Sequence, residues 1–182
     1  MIIGVTGTIG AGKGTLVEYL KGKGFAHYAV RDFLMEEIES RGLPPDRDSM
    51  REVANELRES HGATYLVEAA HARALERGGD TLIESVRAIR EAEFLKGAGA
   101  LILAVDADRR LRYERILARG SSTDHVDFDT WVVQEEKELA SVDPNEQNVI
   151  GVMGMADGRI ENDGSLEELH AKVDAFLERV RA

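Results

Sequence analysis

The sequence predicts an α/β fold, in which one three-layer domain spanning residues 1–182 is built around a five-stranded parallel sheet. Short apolar segments alternate with amphipathic segments along the chain, as expected when helices connect parallel strands. Residues 100–106 form a continuous apolar run, which is typical of a central strand covered on both faces. No internal repeat, low-complexity tract or linker divides the chain, so we expect a single domain.

The first strand is predicted at residues 1–5 and leads into a glycine-rich loop and a helix. Glycine can adopt positive φ angles and lets a phosphate approach the backbone N–H groups, and the start of a helix attracts the same anion. Lys13 adds a mobile positive charge. The spacing therefore predicts a phosphate-binding site formed by Gly7, Thr8, Gly10, Ala11, Gly12, Lys13, Gly14 and Thr15.

A second strand is predicted at residues 25–30, and His27 within it is interpreted as an ordinary strand residue. Arg31 and Asp32 follow at the carboxyl end of this strand, which is the edge of a parallel sheet where ligands bind. A role for Asp32 as the N-cap of a helix at residues 33–41 is equally compatible with the sequence.

Two more helices are predicted before the third strand, at residues 46–60 and 64–77. The whole region from about residue 31 to residue 77 is larger than a minimal crossover between strands, so it has room to bind an acceptor substrate. The helix at residues 46–60 carries Arg47, Arg51 and Arg58, which are also compatible with a solvated helix surface.

A third strand at residues 81–84 ends in Glu84, and Ser85, Val86 and Arg87 follow it. A glutamate at the carboxyl end of a buried strand indicates a role in binding magnesium or substrate. The helix predicted at residues 88–96 then leads to the central strand at residues 100–106.

The next helix, from residue 108, is rich in arginine. Arg112, Arg115 and Arg119 are three and four residues apart, so their guanidinium groups share one face and repel each other unless an anion joins them. A small polar segment follows, which predicts a lid at about residues 120–128. Trp131 is interpreted as a packing residue of the helix at residues 129–140.

The end of the chain completes the alternating pattern. A helical piece is predicted at residues 144–155 and the last strand at residues 158–162. Ser165 and Glu168 form a capping box at the start of a C-terminal helix whose apolar residues make one buried stripe.

Composition excludes several classes of function. The net charge of −11 argues against a general nucleic-acid or anionic-membrane surface, so anion binding must be local. The chain has no cysteine, which excludes disulfides and thiolate metal sites and suits a reducing cytoplasm. We expect neither a signal peptide nor a membrane span, and the sequence leaves open a monomer or a small homo-oligomer.

Over nearly its whole length the sequence resembles the P-loop kinases of small metabolites, most closely the nucleoside-monophosphate kinase and dephospho-coenzyme A kinase group. The loop from Gly7 to Thr15, with Gly14 directly after Lys13, is similar to the adenylate-kinase loop. The sequence Arg31-Asp32-Phe33-Leu34 lies where the family has Gly-Asp-Met-Leu-Arg, so Met35 replaces a phosphate-binding arginine. Arg115 and Arg119 match the family's adenine-side and lid arginines, and Glu84-Ser85-Val86-Arg87 lies where the family has Asp-Gly-Phe-Pro-Arg.

The resemblance implies a P-loop NTPase-type domain that transfers a phosphoryl group from ATP, with Mg²⁺, to a ribo- or deoxyribonucleoside monophosphate. It implies catalytic roles for Lys13, Asp32, Arg115 and Arg119, and it places Arg115 and Asn162 beside the nucleotide. Magnesium would be held by Thr15, Asp32 and Glu84, mainly through water. The acceptor would be bound by Arg31, Arg58, Glu84 and Arg87. The family has further arginines after the lid, whereas the comparable helix here carries Gln134 and Lys137, of which Lys137 is a weak substitute candidate.

Two alternatives remain open from the sequence. Residues 156–157 and 162–169 closely resemble the end of dephospho-coenzyme A kinases, in which Asp32 would be the base for a ribose hydroxyl, although Val30-Arg31-Asp32 lacks the Asp-Ala-Asp expected there. A nucleotide-binding switch with slow hydrolysis is the alternative from another class. Arg115 and Arg119 argue against the switch, because a switch does not need a closing lid.

Overall fold

The computed structural model describes residues 1–45, 47–120, 127–139 and 147–182. Its five strands form one sheet in the order β2-β3-β1-β4-β5, and all neighbouring strands are parallel. The predicted five-stranded parallel sheet is therefore confirmed. The strands are β1 (Ile2–Gly7), β2 (Ala26–Ala29), β3 (Thr81–Glu84), β4 (Leu101–Asp106) and β5 (Gly158–Glu161).

Helices cover both faces of this sheet and give the predicted three layers. The helices are α1 (Lys13–Gly22), α2 (Val30–Ser40), α3 (Arg47–His61), α4 (Tyr65–Arg77), α5 (Ile89–Gly97), α6 (Arg109–Arg119), α7 (Phe128–Leu139), α8 (Val149–Gly154) and α9 (Leu166–Arg181). One apolar core lies between the sheet and α1 and α9, and a second lies between the sheet and α2 to α5 with α8. A smaller apolar cluster joins β4 to α7 and α8. No helix in these described ranges is long and apolar enough to span a bilayer.

Alternation along β3 decides which layer each of its side chains enters. Leu82 packs in the core beneath α1 and α9, whereas Ile83 packs in the core beneath α2 and α4. Glu84 is two residues after Leu82 and therefore lies on the α1 side of the sheet. This placement brings its carboxylate to the same side as the loop that precedes α1.

The start of α2 differs from the sequence prediction. β2 ends at Ala29, and α2 begins directly at Val30, which is buried in the core, instead of at residue 33. Ala29 is the N-cap residue, so Asp32 lies in the first turn of the helix. The interpretation of Asp32 as an N-cap is therefore wrong, because burial of Val30 starts the helix earlier.

The last strand and helix follow the prediction closely. β5 ends at Glu161, so Asn162 lies in the turn before α9. Ser165 is the N-cap of α9, and its hydroxyl accepts a hydrogen bond from the backbone N–H of Glu168 at 3.3 Å. This is the backbone half of the predicted capping box.

Candidate active site

Glycine is required in the loop between β1 and α1 for both conformational and steric reasons. Gly7, Gly10 and Gly12 have φ angles of 139°, 79° and 95°, which L side chains rarely adopt. A Cβ atom on Gly10 would lie 2.6 Å from the carbonyl oxygen of Arg112, and one on Gly7 would overlap the carbonyl oxygen of Val105. The backbones of β4 and α6 thus pack directly against the loop and fix its shape.

Lys13 is the first residue of α1, and its amine folds back over the loop. Its Nζ donates hydrogen bonds to the carbonyl oxygens of Gly7 and Thr8, both at 2.8 Å. Burial is the main cause that lowers the pKa of Lys13 from 10.5 to about 8, and the charge of Arg87 is the next. The charged amine is therefore held in a poorly solvated position, where an anion would stabilise it.

Cations from two different parts of the fold act on this amine. Arg87, just after β3, and Arg112 and Arg119, on α6, all lower the pKa of Lys13, while Glu84 raises it. The positive groups outnumber the negative one, although the whole chain carries a net charge of −11. The surroundings of Lys13 are thus locally cationic, which suits the local anion binding that the composition predicts.

The loop is braced from the side of β4 and β5. The hydroxyl of Thr8 donates to Asp106 Oδ1 at 2.6 Å. The buried side chain of Asn162 donates from Nδ2 to the carbonyl oxygen of Ala11 at 2.8 Å, and a Cβ atom on Gly12 would overlap that amide. The Thr8 hydroxyl and the Asn162 amide therefore hold the loop in place, and the backbone N–H groups of the loop are what it can present to an anion.

Arg112 has a structural role that the sequence pattern did not indicate. Its side chain donates to the carbonyl oxygens of Ala107, from Nε at 3.0 Å, and Ile9, from Nη1 at 3.2 Å. It also forms a buried ion pair with Glu135 of α7, and its guanidinium lies 5.4 Å from the ring centre of Trp131. The sequence allowed an anion to relieve the repulsion among Arg112, Arg115 and Arg119, but for Arg112 the carboxylate of Glu135 already supplies the opposite charge.

Glu84 ends β3 beside the loop, and its closest ionisable partner is His27 of β2. Glu84 Oε2 lies 2.9 Å from His27 Nε2. This hydrogen bond is the largest favourable cause that lowers the pKa of Glu84, and the charges of Lys13 and Arg87 lower it further against the effect of burial. The carboxylate is therefore charged at neutral pH. Sequence reasoning missed His27, whose only signal was its place near the carboxyl end of a strand.

Arg87 is exposed, but its backbone is fixed on both sides. Its N–H donates to Oε2 of the buried Glu91 at 2.9 Å, and its carbonyl accepts from the N–H of Asn148 at 2.8 Å. The guanidinium donates from Nη1 to Gln147 Oε1 at 3.3 Å. The segment after β3 is therefore rigid at the point where it delivers a cation toward the loop.

The remaining acceptor-side candidates lie further out. Arg31 and Asp32 are exposed in the first turn of α2, and Arg58 is half-buried on α3, where its charge acts on the carboxyl of Glu91. Asp32 lines a cleft of about 230 Å³ together with His27 and the side chains of α2 and α4. Met35, which stands in the position of the family's arginine, packs against the core and cannot supply that arginine's positive charge.

Oxygen ligands suited to magnesium are present beside the loop. Thr15 is exposed in the first turn of α1, and Glu84 supplies a charged carboxylate. In the described ranges, no three side chains of His, Cys, Asp or Glu come together as a metal cluster. This donor set fits Mg²⁺, which keeps several waters and is held mainly by substrate phosphates with one or two carboxylates.

Most of the predicted lid lies outside the described residues, which stop at Gly120 and resume at Asp127. Arg115 and Arg119 are on the last turns of α6, before this gap, and Arg115 has a buried Nη1 atom without a hydrogen-bond partner in the described part of the chain. The side chains of Arg47, Arg51, Gln134 and Lys137 also lie outside the described part. Their predicted roles stay predictions.

Comparisons with known proteins agree with this geometry. A family model described as an AAA domain matches residues 3–140. A UPF0200 protein from Thermococcus gammatolerans is 33% identical over 187 residues, and the match covers 99% of this chain and 95% of that protein. A UPF0200 protein from Hyperthermus butylicus is also 33% identical, over 182 residues, with coverage of 99% and 95%.

Solved structures resemble the whole chain at lower identity. A Thermus thermophilus protein named TT1252 superimposes with a TM-score of 0.64 and 20% identity, covering 98% of this chain and 97% of that one. Shikimate kinase from Aquifex aeolicus superimposes with a TM-score of 0.58 and 15% identity, covering 100% and 98%. At these identities the likeness establishes a shared P-loop kinase fold.

Proposed function

We propose that this chain, which belongs to the P-loop family described as an AAA domain and to the UPF0200 proteins, transfers the γ-phosphoryl group of ATP to a small acceptor that carries a phosphate. The acceptor that we favour is a ribo- or deoxyribonucleoside monophosphate. The products would be the nucleoside diphosphate and ADP.

One observation carries this proposal. Arg87 follows β3 and Arg119 ends α6, so cations from two different elements act on the amine of Lys13. A protein that only binds a nucleotide needs cations for the nucleotide itself. A transferase needs a second set of cations for an anionic acceptor, and Arg87, fixed by Glu91 and Asn148, is well placed for that role.

The chemical step requires little covalent chemistry from the protein. The bond between the γ-phosphorus and its bridging oxygen breaks, its electron pair leaves with ADP, and an oxygen of the acceptor phosphate forms the new bond to phosphorus. Charge spreads over the equatorial oxygens of the transferred group. Lys13, Arg115 and Arg119 would stabilise that charge, and an acceptor phosphate that is already deprotonated needs no general base.

The acceptor phosphate would be bound by Arg87 together with Arg31 or Arg58. Arg87 is the strongest of these candidates, because it acts electrostatically on both Lys13 and Glu84. The family's arginine on α2 is replaced by Met35, so the acceptor phosphate must be bound by arginines at other positions.

Magnesium would be held by Thr15, Glu84 and Asp32, mainly through water. When bound, the ion supplies positive charge to the β- and γ-phosphates. The chain's own contribution is a charged Glu84 carboxylate and an exposed Thr15 hydroxyl on the loop side of the sheet.

Dephospho-coenzyme A kinase is the second candidate. Its support is the turn at Asn162, which resembles that family and lies against the loop through the carbonyl of Ala11. In this case the acceptor is a ribose hydroxyl, and Asp32 must accept its proton.

The test is a coupled assay of ADP formation from Mg-ATP with a panel of acceptors. The panel contains ribo- and deoxyribonucleoside monophosphates, dephospho-coenzyme A, and shikimate, the last because of the similar Aquifex enzyme. We expect turnover with a monophosphate that is lost in Lys13→Ala and Arg119→Ala, and an increased KM for the acceptor in Arg87→Ala. Arg90→Ala is the matched control, because Arg90 is an exposed arginine of α5, three residues after Arg87.

Two other outcomes of the assay would change the proposed function. Turnover with dephospho-coenzyme A alone, lost in Asp32→Asn, would replace the favoured acceptor with the second candidate. ATP hydrolysis that is independent of every acceptor would contradict both kinase functions and favour a nucleotide-dependent switch.

A further inference from the structure

His27 and Glu84 meet because of the register between the edge strand and its neighbour. His27 is aligned with Leu82, and Ala29 with Glu84, so His27 and Glu84 are diagonal neighbours on one face of the sheet. That face is the α1 side, where Leu82 packs and where the phosphate-binding loop lies. The side chains are only 19% and 22% exposed, so this hydrogen bond is partly shielded from solvent.

Glu84 forms its hydrogen bond with His27, although two cations also act on its carboxylate. Lys13 and Arg87 are close enough to lower the pKa of Glu84, yet its hydrogen bond, at 2.9 Å, is to His27. Lys13 instead donates to the carbonyl oxygens of the loop. Because the carboxylate is charged, it accepts this hydrogen bond and His27 Nε2 donates it. Within the described residues, the hydrogen bond engages Oε2 and leaves Oε1 for another donor.

We propose that His27 is a positioning residue for Glu84, and that it holds the carboxylate so that Oε1 accepts hydrogen bonds from the water ligands of nucleotide-bound magnesium. The inference rests on the proposed nucleotide-dependent function, and it assigns a role to His27, which the resemblance to P-loop kinases does not include among the site residues. Without His27, the carboxylate is free to rotate, and Oε1 is no longer held where it can accept those hydrogen bonds.

A purely structural role for the pair is the competing explanation. A cross-strand hydrogen bond at the edge of the sheet also stabilises β2, and its loss would weaken every property of the site together. The positioning role is more selective. It predicts a loss of magnesium-dependent nucleotide binding, while metal-free binding to the loop stays unchanged.

The test measures the Kd of ADP by calorimetry with Mg²⁺ and with a chelator. The Kd measured with the chelator divided by the Kd measured with Mg²⁺ gives the factor by which magnesium increases the affinity for ADP. We expect His27→Ala to reduce this ratio by about tenfold, which is the lower end of the range for losing a residue that hydrogen-bonds to a metal ligand. The metal-free Kd should stay within twofold of the wild-type value. His27→Gln, whose amide also donates a hydrogen bond, should restore most of the ratio.

Two further variants separate the explanations. His61→Ala is the matched control, since His61 is an exposed histidine on α3 that stacks on Tyr65, and it should leave the ratio unchanged. Glu84→Gln should reduce the ratio, and adding His27→Ala to it should cause no further loss, because His27 acts through Glu84.

Three results would overturn the inference. They are an unchanged ratio in His27→Ala, an equal weakening of binding with and without metal, and the absence of any magnesium effect in the wild-type protein. The measurement needs only ADP and the metal. A failure to phosphorylate any acceptor would therefore contradict the proposed kinase activity and leave this test intact.

Discussion

Arg112 and Glu135 form an ion pair in which the side chains are only 5% and 2% exposed. The same guanidinium donates to the carbonyl of Ile9 in the phosphate-binding loop. One side chain therefore connects α7, which follows the predicted lid, to the loop that would hold the nucleotide. Burial of both charges makes the pair sensitive to the loss of either partner, because the remaining charge would keep only a second partner, Asp106 at 3.7 Å from Arg112 or the half-exposed Arg109 at 3.3 Å from Glu135.

We expect Glu135→Ala to lower the free energy of unfolding by about 3 kcal/mol, since it leaves the buried Arg112 with only the more distant carboxylate of Asp106, 3.7 Å from its Nε. Glu136→Ala is the matched control. Glu136 pairs with Arg109 at 3.1 Å but is 58% exposed, so its loss should cost less than about 1 kcal/mol. Urea unfolding monitored by the fluorescence of Trp131, which packs beside Arg112, measures both values. Equal losses in the two variants would show that burial does not control this pair.

The loop glycines should respond in opposite ways to alanine. Gly12 has a φ of 95°, and a Cβ there would overlap the Asn162 amide, so Gly12→Ala should cost about 1–2 kcal/mol from the backbone alone and more from the overlap. Gly14 lies in the first turn of α1, where the space that a Cβ would occupy is open, so Gly14→Ala should add up to about 1 kcal/mol. Thermal unfolding without nucleotide should show Tm changes of opposite sign. Two decreases of similar size would refute this contrast.

The fold could be predicted from the sequence because its signals are local. Short apolar runs between amphipathic helical segments located the five strands, and glycine spacing located the loop. The start of α2 was predicted three residues late, because the burial of Val30 depends on packing between helices and is not visible in the turn chemistry of residues 31–33.

The site could be predicted only in part, for a similar reason. Lys13, Glu84 and Arg87 stand at strand ends, where topology alone brings side chains to one edge. The partners of these residues come from distant segments: His27 is 57 positions from Glu84, and Glu135 is 23 positions from Arg112. Arginines at helical spacing look equivalent in a sequence, and only the packing of α7 distinguishes Arg112 from Arg115 and Arg119.

Nucleotide binding should depend on pH through Lys13. Its pKa of about 8 should rise when a phosphate binds, because the anion stabilises the charged amine. At pH values above about 8 the free protein must therefore take up a proton to bind ADP, and the affinity should fall by up to about tenfold per pH unit. Below that pH the amine is already charged, and the affinity should be nearly constant.

Calorimetry at about pH 8.5 in buffers of different ionisation enthalpy measures this proton uptake. Lys13→Met should abolish the uptake and weaken binding at every pH. Lys21→Met is the matched control, because Lys21 is at the other end of α1 and pairs with Glu18. Proton uptake that persists in Lys13→Met would assign the titration to another group.

Glu91 should make the protein less stable as the pH rises, whereas a carboxylate whose pKa is lowered by an ion pair makes a protein more stable as the pH rises. Burial raises the pKa of Glu91, while its Oε2 accepts hydrogen bonds from the N–H groups of Arg87 and Ala88 at 2.9 and 3.1 Å. The folded state therefore binds a proton more tightly than the unfolded state. The contribution of this group to the free energy of unfolding falls as the pH rises from the ordinary value of 4.5 through the raised one.

Glu91→Gln keeps an oxygen that accepts both hydrogen bonds and removes the charge that must be buried. At pH 7 we expect it to raise the free energy of unfolding, because the neutral amide avoids the cost of burying a charge, which is the main cause that raises the pKa of Glu91. Glu91→Ala should lower it by about 1–3 kcal/mol, because two backbone donors at the start of α5 lose their acceptor. Urea unfolding from pH 7 down to about pH 4 should show the wild-type and Gln curves converging, since the wild-type carboxyl becomes neutral there. A gap that widens toward acid would mean that Glu91 is stabilised as a charged group by Arg58 and Arg87, against the effect of burial.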